Sequence, residues 1–327
     1  MKNAVVLGGS GFVGAHVCEK LVRAGWTLTV PTRRRSNAQR VMHLPGLTVL
    51  EADIFDPVAL GQLVRGHDAV INLVGILHGS EQAFDKAHFH LPRLLAHACR
   101  NGGVQTLVHL SALGADAKNP ASAPSMYLRS KGRGEAALIE GRGHVAVSIL
   151  RPSVIFGTED KFLNLFATLQ KKFPVMPLAG AHARFQPVWV EDVASAIMAC
   201  LRPHMTGTEQ PVRIVEACGP QVFNLRELVQ LTGQWAEVNE GQGRPIVPLP
   251  LWVGYLQAAL MELLPGQPLM SRDNLASMQV DNVATPGVAG LDSLGIKPAA
   301  LQPIASLYLK RQHADQGLLG IRDRYRS

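Results

Sequence analysis

Residues 5–17 read VVLGGSGFVGAHV, and the four glycines inside this apolar run restrict what the chain can become. The middle of a secretion signal is an unbroken apolar stretch of roughly 7–15 residues followed by a small-residue cleavage site. Gly8, Gly9, Gly11 and Gly14 break the run here, and no A-x-A-like site follows. Ahead of the glycines stands NAVVLG, a short apolar run. Behind them stands FVGAHVCEKLVRAG, in which Val13, Val17, Leu21 and Val22 recur at helical spacing and Gly25 closes the segment. Glycines at 8, 11 and 14 in a strand–turn–helix supply a tight turn, close backbone approach to a pyrophosphate and close helix–strand contact. The free N–H groups and dipole of the helix start favour the phosphates. The stretch is therefore read as a dinucleotide-binding turn.

Downstream, WTLTVPTRRR reads as a second strand, GLTVLEADIFD as a third and PVALGQLVRG as a helix opened by Pro57. DAVINLVG is continuously apolar, as in a sheet buried on both faces. FDKAHFHLPRLLAHACRNGG reads as a long helix, VQTLVHLSA as a fifth strand, SMYLRSKGRGEAALIEG as a helix and HVAVSILRPS as a sixth strand. Strands alternating with helices predict an α/β fold with a doubly wound parallel Rossmann sheet over 1–157. Residues 158–327 are expected to form a smaller C-terminal substrate domain of mixed α/β structure, partly woven back into the first. Within it, VWVEDVASAIMACL reads as a helix, and QVFNLRELVQLTG as a strand, an Asn224 cap and a helix.

With 47% apolar and 17% charged residues among 327, the chain is an ordered globular protein. Its net charge of +7 comes mostly from arginines, clustered at 33–35 and in the tail RDRYRS. No long basic run or aromatic-basic interleaving accompanies them, so no nucleic-acid partner is expected. Four scattered cysteines without a C-x-x-C pair argue against zinc and disulfides and for a reducing, cytoplasmic setting. HFH at 88–90 lacks metal-site spacing, and no metal is expected.

For NAD, an acidic residue about 20 positions beyond the turn would hold the ribose 2′-hydroxyl. No acid occurs from Thr27 to Pro45, and the second strand ends in PTRRR. Arg33 and Arg34 suit a 2′-phosphate instead, so NADP(H) is preferred over NAD(H). The alternative for these arginines is an exposed basic loop.

GGSGFVG, EADIFD, NLVG, LSALGA, YLRSK, LRPSVIFG and FQPVWVEDVA follow in order across roughly residues 1–200. Together they resemble the extended, epimerase/dehydratase-like branch of the short-chain dehydrogenase/reductase superfamily. HLSALGAD, YLRSKGRGE and FGTEDKFLNLFA are more narrowly similar to relatives of the 39 kDa accessory subunit of respiratory complex I. The resemblance implies that Gly8, Ser10, Gly11, Phe12 and Val13 line the pyrophosphate turn. It implies that Asp53 and Ile54 contact adenine, and that Leu73, Val74 and Gly75 pass beside the adenosine ribose. Pro152, Ser153 and Val154 would flank the nicotinamide, and Asp192 would cap its helix.

Tyr127 and Lys131, four residues apart on a helix, share one face. The Lys131 ammonium and the bound nicotinamide cation are together expected to lower the Tyr127 phenol pKa from its usual value near 10, making it a proton carrier. Lys131 would also hold the nicotinamide ribose. Ser111 is the third candidate, either polarising substrate or holding the strand end. Many extended members carry the catalytic serine or threonine one or two places later, where this chain has Ala112 and Leu113. Two functions remain open. One is an NAD(P)H-dependent oxidoreductase or epimerase acting on a small or isoprenoid/quinone-like carbonyl or alcohol. The other is a non-catalytic NADPH-binding structural, assembly or redox-sensing protein.

Residues 248–265, PLPLWVGYLQAALMELLP, carry an apolar run from Leu251 to Leu264 with one charge, Glu262. About 14 residues fall short of the ~20 needed to span a bilayer. A helix buried against the protein's own core is the expectation. The alternative is a hydrophobic lid exposing Trp252, Tyr255 and Leu256 to a greasy substrate or membrane surface, aided by Arg322, Arg324 and Arg326. That alternative would add peripheral contact with the inner membrane to a cytoplasmic protein.

Overall fold

The computed structural model describes residues 2–202, 212–263, 266 and 268–310. Two compact units share the described residues: 2–153, 190–202, 212–218 and 284–297 form one, and 154–189, 219–263, 266, 268–283 and 298–310 the other.

The first unit opens with strand β1 (Asn3–Leu7), helix α1 (Phe12–Arg23), β2 (Thr27–Thr32), β3 (Leu47–Glu51), α2 (Pro57–Val64) and β4 (Ala69–Asn72). A long helical segment follows as α3 (Glu81–Asp85), a π-helical turn at Lys86–His90 and α4 (Leu91–Gly102). Next come β5 (Thr106–Leu110), α5 (Met126–Gly141) and β6 (Ala146–Pro152). The chain then enters the second unit as β7 (Ile155–Phe156), α6 (Leu163–Lys172), β8 (Met176–Ala179), β9 (Arg184–Phe185) and β10 (Val188–Trp189). It returns to the first as α7 (Val190–Cys200) and β11 (Val212–Ala217). The second unit resumes with β12 (Phe223–Asn224), α8 (Leu225–Trp235), β13 (Ile246–Leu249), α9 (Leu251–Glu262) and α10 (Arg272–Ser277).

Among the described residues the main sheet has seven parallel strands in the order β11-β6-β5-β4-β1-β2-β3. The order reverses between β4 and β1, which is where such sheets open a crevice at their carboxyl ends. β1, β4 and β5 are buried along almost every residue because helices cover both faces. Val5, Leu7, Val70, Leu107 and Ile149 pack with Leu91, Leu95 and Leu138 in one cluster. Each such side chain contributes about 1.5–3 kcal/mol by leaving water. β11, VRIVEA, adds a strand that the sequence reading did not contain, pairing with β6 from Val212↔Val147 to Ala217↔Pro152. The chain re-enters the first unit at 190, where α7 packs on α1. Glu191 there receives His16 Nδ1 at 2.5 Å and Lys20 Nζ at 3.0 Å.

The π turn has a local cause. Pro92 has no N–H to give the His88 carbonyl, so the regular helical bond is missing at that point. The freed His88 carbonyl lies against Gly134 of α5, where a Cβ would overlap it. A Cβ at Gly132 would likewise overlap the Asp116 carbonyl. The sequence GRG inside a helix therefore marks close packing rather than a break.

In the second unit, Asp160 accepts the N–H groups of Phe162 and Leu163 at 2.8 and 2.6 Å and the Tyr308 hydroxyl at 2.7 Å. Helix α9 corrects the expectation of a core helix. Trp252, Leu256, Leu260 and Leu263 are 70%, 58%, 59% and 82% exposed in one stripe. Its buried residues are Gly254 and Ala258, and a Cβ at Gly254 would overlap that of Ala179. The small residues set the buried face, which turns the bulky ones outward. Leu264, Pro265, Arg322, Arg324 and Arg326 lie outside the described residues.

Candidate functional site

Gly8 follows β1 with φ +77°, a left-handed conformation that disfavours any side chain, and a Cβ there would lie 3.0 Å from the Leu73 carbonyl carbon. Gly9 N–H donates to Val6 O at 3.2 Å, and Gly11 N–H donates to Gly8 O at 3.0 Å. A Cβ on Gly14 would overlap Gly8 O and sit 2.6 Å from Gly9 C, so this glycine lets α1 touch the turn. Gly11 caps α1 without any side-chain acceptor, leaving the first-turn N–H groups to an anion. Ser10, Phe12 and Val13 are half-buried around that opening.

Leu73 N–H donates to Leu7 O at 2.9 Å, and Val74 N–H donates to Asn72 Oδ1 at 3.1 Å, so the β4 loop runs beside the turn. Arg33 and Arg34 are exposed beyond β2 and form no ion pair among the described residues. Asp53 accepts Phe55 N–H at 2.9 Å, and Ile54 packs on the core. Pro152 ends β6 and accepts Leu113 N–H at 2.9 Å, while buried Ser153 donates its N–H to Ala217 O at 3.0 Å. Val154 belongs to the second unit, where its N–H donates to Asn282 Oδ1 at 3.2 Å. Asp192 lies in the first turn of α7.

Lys131 is buried and donates from Nζ to Leu110 O at 3.1 Å. The same Nζ lies 3.3 Å from where a Gly75 Cβ would be and 5.9 Å from the Tyr127 ring centre. One helix face, one strand end and the β4 loop thus meet at this ammonium. Burial lowers its pKa to about 8, opposed by the Glu135 carboxylate. Glu135 is itself bound by Arg151, at 3.0 Å from Nε and 2.5 Å from a terminal nitrogen.

Burial raises the Tyr127 phenol pKa, opposing the lowering expected from Lys131 and a bound nicotinamide, and the half-buried ring packs edge-on against Phe84 and His88 at centroid distances of 6.1 and 5.4 Å. The phenol is a protonated group at neutral pH. Ser111 Oγ, at the end of β5, is buried without a hydrogen-bond partner.

Four residues that the sequence reading did not assign to the site complete it. His88 Nε2 accepts Ile76 N–H at 3.0 Å, so its proton is on Nδ1, which donates to Ser130 Oγ at 2.9 Å. Ser130 in turn donates to Tyr127 O at 2.7 Å. Asn72 Nδ2 donates to His109 Nδ1 at 3.1 Å, leaving the buried His109 Nε2–H unpartnered. Burial first, and then the Lys131 ammonium, lower His88 to about 2 and His109 to about 3. Both imidazoles are neutral. The signal for His88 was HFH beside a proline, which spacing alone does not connect to Tyr127.

The four cysteines are buried and unbridged. Among the described residues, no helix is long and apolar enough to cross a membrane and no group of three acidic, histidine or cysteine side chains converges.

Comparison with known proteins agrees with this architecture. The mouse (Mus musculus) mitochondrial NADH dehydrogenase (ubiquinone) 1 alpha subcomplex subunit 9 is 31% identical over 327 residues, covering 95% of this chain and 80% of its own. The ceramide reductase of Caulobacter vibrioides is 29% identical over 204 residues, 62% of each chain. The solved dTDP-glucose 4,6-dehydratase DesIV of Streptomyces venezuelae superposes with a TM-score of 0.70 at 17% identity, covering 97% of this chain and 98% of that one. At that identity the likeness concerns the fold. The NAD dependent epimerase/dehydratase family matches residues 4–215, from the first strand through the returning α7 and into β11, and the chain belongs to it.

Proposed function

We propose that this chain binds NADP(H) at the β1–α1 turn and reduces a hydrophobic carbonyl compound, or oxidises the corresponding alcohol, with Tyr127 and Lys131. The observation that carries the reading is Lys131 Nζ, held within 3.3 Å of the Gly75 Cβ position and on the same helix face as Tyr127. The turn fits the cofactor, since Gly8 and Gly14 let the β4 loop and α1 close onto it where a Cβ would meet backbone, and no side chain caps the first-turn N–H groups of α1. When bound, the nicotinamide supplies or takes the hydride. Lys131 would hold the ribose and keep a positive charge beside the reacting oxygen. Tyr127, protonated by burial, would give its proton to the oxygen of a reduced carbonyl. Ser111 Oγ and His109 Nε2–H, both buried and unpartnered, would donate to substrate oxygen, offsetting about 1–3 kcal/mol each. A relative named ceramide reductase supports a lipid-like carbonyl substrate.

The second reading, a cofactor-holding structural or assembly protein, is favoured by the named subunits of mitochondrial NADH dehydrogenase among the relatives. Cofactor fluorescence during incubation with quinones and lipid carbonyls separates the two. Oxidation of NADPH with turnover supports catalysis. A stoichiometric nucleotide that never cycles supports the second reading.

Cofactor choice has its own test. Two charge-assisted hydrogen bonds from Arg33 and Arg34, at ~1.5–3 kcal/mol each before solvent screening, favour NADPH. Titration should show NADPH bound at least tenfold tighter than NADH, roughly 1.4 kcal/mol. The gap should shrink in Arg33→Ala/Arg34→Ala. Equal affinities in the wild type would refute the preference.

The exposed stripe on α9 supports peripheral contact with a membrane, since Trp and Leu side chains partition into the headgroup boundary. Wild-type protein should float with phospholipid vesicles, and Trp252→Glu and Leu256→Glu should reduce flotation at least tenfold with unchanged melting temperature. Wild-type protein that stays at the bottom of the gradient would contradict this contact.

A further inference from the structure

The first unit carries a basic groove that shares no residue with those assigned to the cofactor. A groove of about 650 Å3 runs between α4 and α5. Phe89, Arg93, His97 and Arg100 line it from the π turn and α4, Arg133 and Glu140 from α5, and Lys118 from the loop after β5. Its volume suits a small ligand. Four permanent cations face one carboxylate, Glu140. Arg93, Arg100 and Lys118 are exposed and form no ion pair among the described residues.

The cations are held rather than loose. The guanidinium carbons of Arg93 and Arg133 lie 5.4 and 5.6 Å from the Phe89 ring centre. Arg133 is tethered to Asp85, yet its buried Nε has no hydrogen-bond partner. Arg100 donates to His97 Nδ1 at 3.3 Å, and Arg93 donates to His90 Nδ1 at 3.2 Å. Side chains fixed by stacking and hydrogen bonds lose less freedom when a ligand arrives. Three planar forks converging on one groove match the oxygens of a phosphate group better than a lone carboxylate. Phe89, Ala117, Pro120, Ala136 and Ala137 give the groove an apolar floor for an uncharged body attached to that phosphate. A second copy of this chain, presenting the same face, would set the cations against one another.

We infer that the α4–α5 groove binds a phosphate-bearing anion, either a soluble phosphate compound or the headgroup of an anionic phospholipid. The inference does not depend on the cofactor reading, because the two sites share no residue.

Inorganic pyrophosphate and vesicles of phosphatidylcholine with or without phosphatidylglycerol probe the two sources. Calorimetry should find a pyrophosphate-binding event that weakens at least tenfold in Arg93→Glu/Arg100→Glu and keeps its affinity in Gly14→Ala, whose Cβ disturbs the β1–α1 turn instead. Such a result assigns a soluble ligand. Binding to phosphatidylglycerol vesicles that is lost in Arg93→Glu/Arg100→Glu assigns a headgroup. Either interaction should weaken as salt rises. Arg93 and Arg100 are exposed, so the variant should melt with the wild type, and Lys118→Glu provides an independent loop substitution. Neither probe binding the wild type, or both probes binding the groove variants as tightly as they bind the wild type, would overturn the inference.

Discussion

Tyr127→Phe should lower turnover on a true substrate by about 10²–10⁴-fold, the usual contribution of a positioned proton donor. NADPH affinity should stay within a few-fold, because only the hydroxyl is lost and the ring still packs against Phe84 and His88. Lys131→Ala should damage both, since the ribose contact goes with the charge. The pH profile adds a second readout. The Lys131 pKa is lowered by burial to about 8, so the ammonium is present below that pH and lost above it. Carbonyl reduction should therefore hold up to about pH 8 and decline beyond it. Full activity in Tyr127→Phe would remove the residue from the proton path, whichever way the cofactor binds.

Gly14→Ala should be the most damaging single-methyl substitution in the first unit. Its Cβ would overlap Gly8 O and lie 2.6 Å from Gly9 C, and both are backbone atoms that no rotamer change can move aside. Overpacking costs typically 1–3 kcal/mol, and a clash between backbone segments belongs at the upper end, about 3 kcal/mol. Chemical denaturation should show that loss, and NADPH affinity should fall at least tenfold as the turn is pushed from α1. Gly25→Ala is the contrast, because a Cβ there meets nothing within 4 Å. Its cost comes only from φ +80°, so nucleotide binding should survive. Equal effects of the two substitutions would mean that contact with the turn does not set the cost at Gly14.

Much of this architecture was legible because its signals are local. β1, β4, β5 and β6 are apolar in sequence since helices cover both faces, and the glycine turn announces itself by spacing. What escaped the sequence depends on contacts between distant segments. That Gly132 and Gly134 permit close packing shows only once Asp116 O and His88 O are placed against them. The Tyr127 phenol was expected to shift downward beside a lysine. Burial acts the other way, and the rings packed on Tyr127, Phe84 and His88, come from 43 and 39 residues earlier in the chain. α9 is apolar on every side, so periodicity did not identify its buried face, which Gly254 and Ala258 set by fitting against Ala179 and Leu275. Arg93, Arg100, Lys118 and Arg133 never form a basic run, and only the packing of α4 on α5 brings them into one groove.

The central claim, a nicotinamide dinucleotide seated on the β1–α1 turn, is tested most directly by titrating purified protein with NADPH and following nucleotide fluorescence. The account predicts saturation at one nucleotide per chain, with Gly14→Ala bound at least tenfold more weakly. A wild-type protein that gives no saturable change with either NADPH or NADH would contradict it.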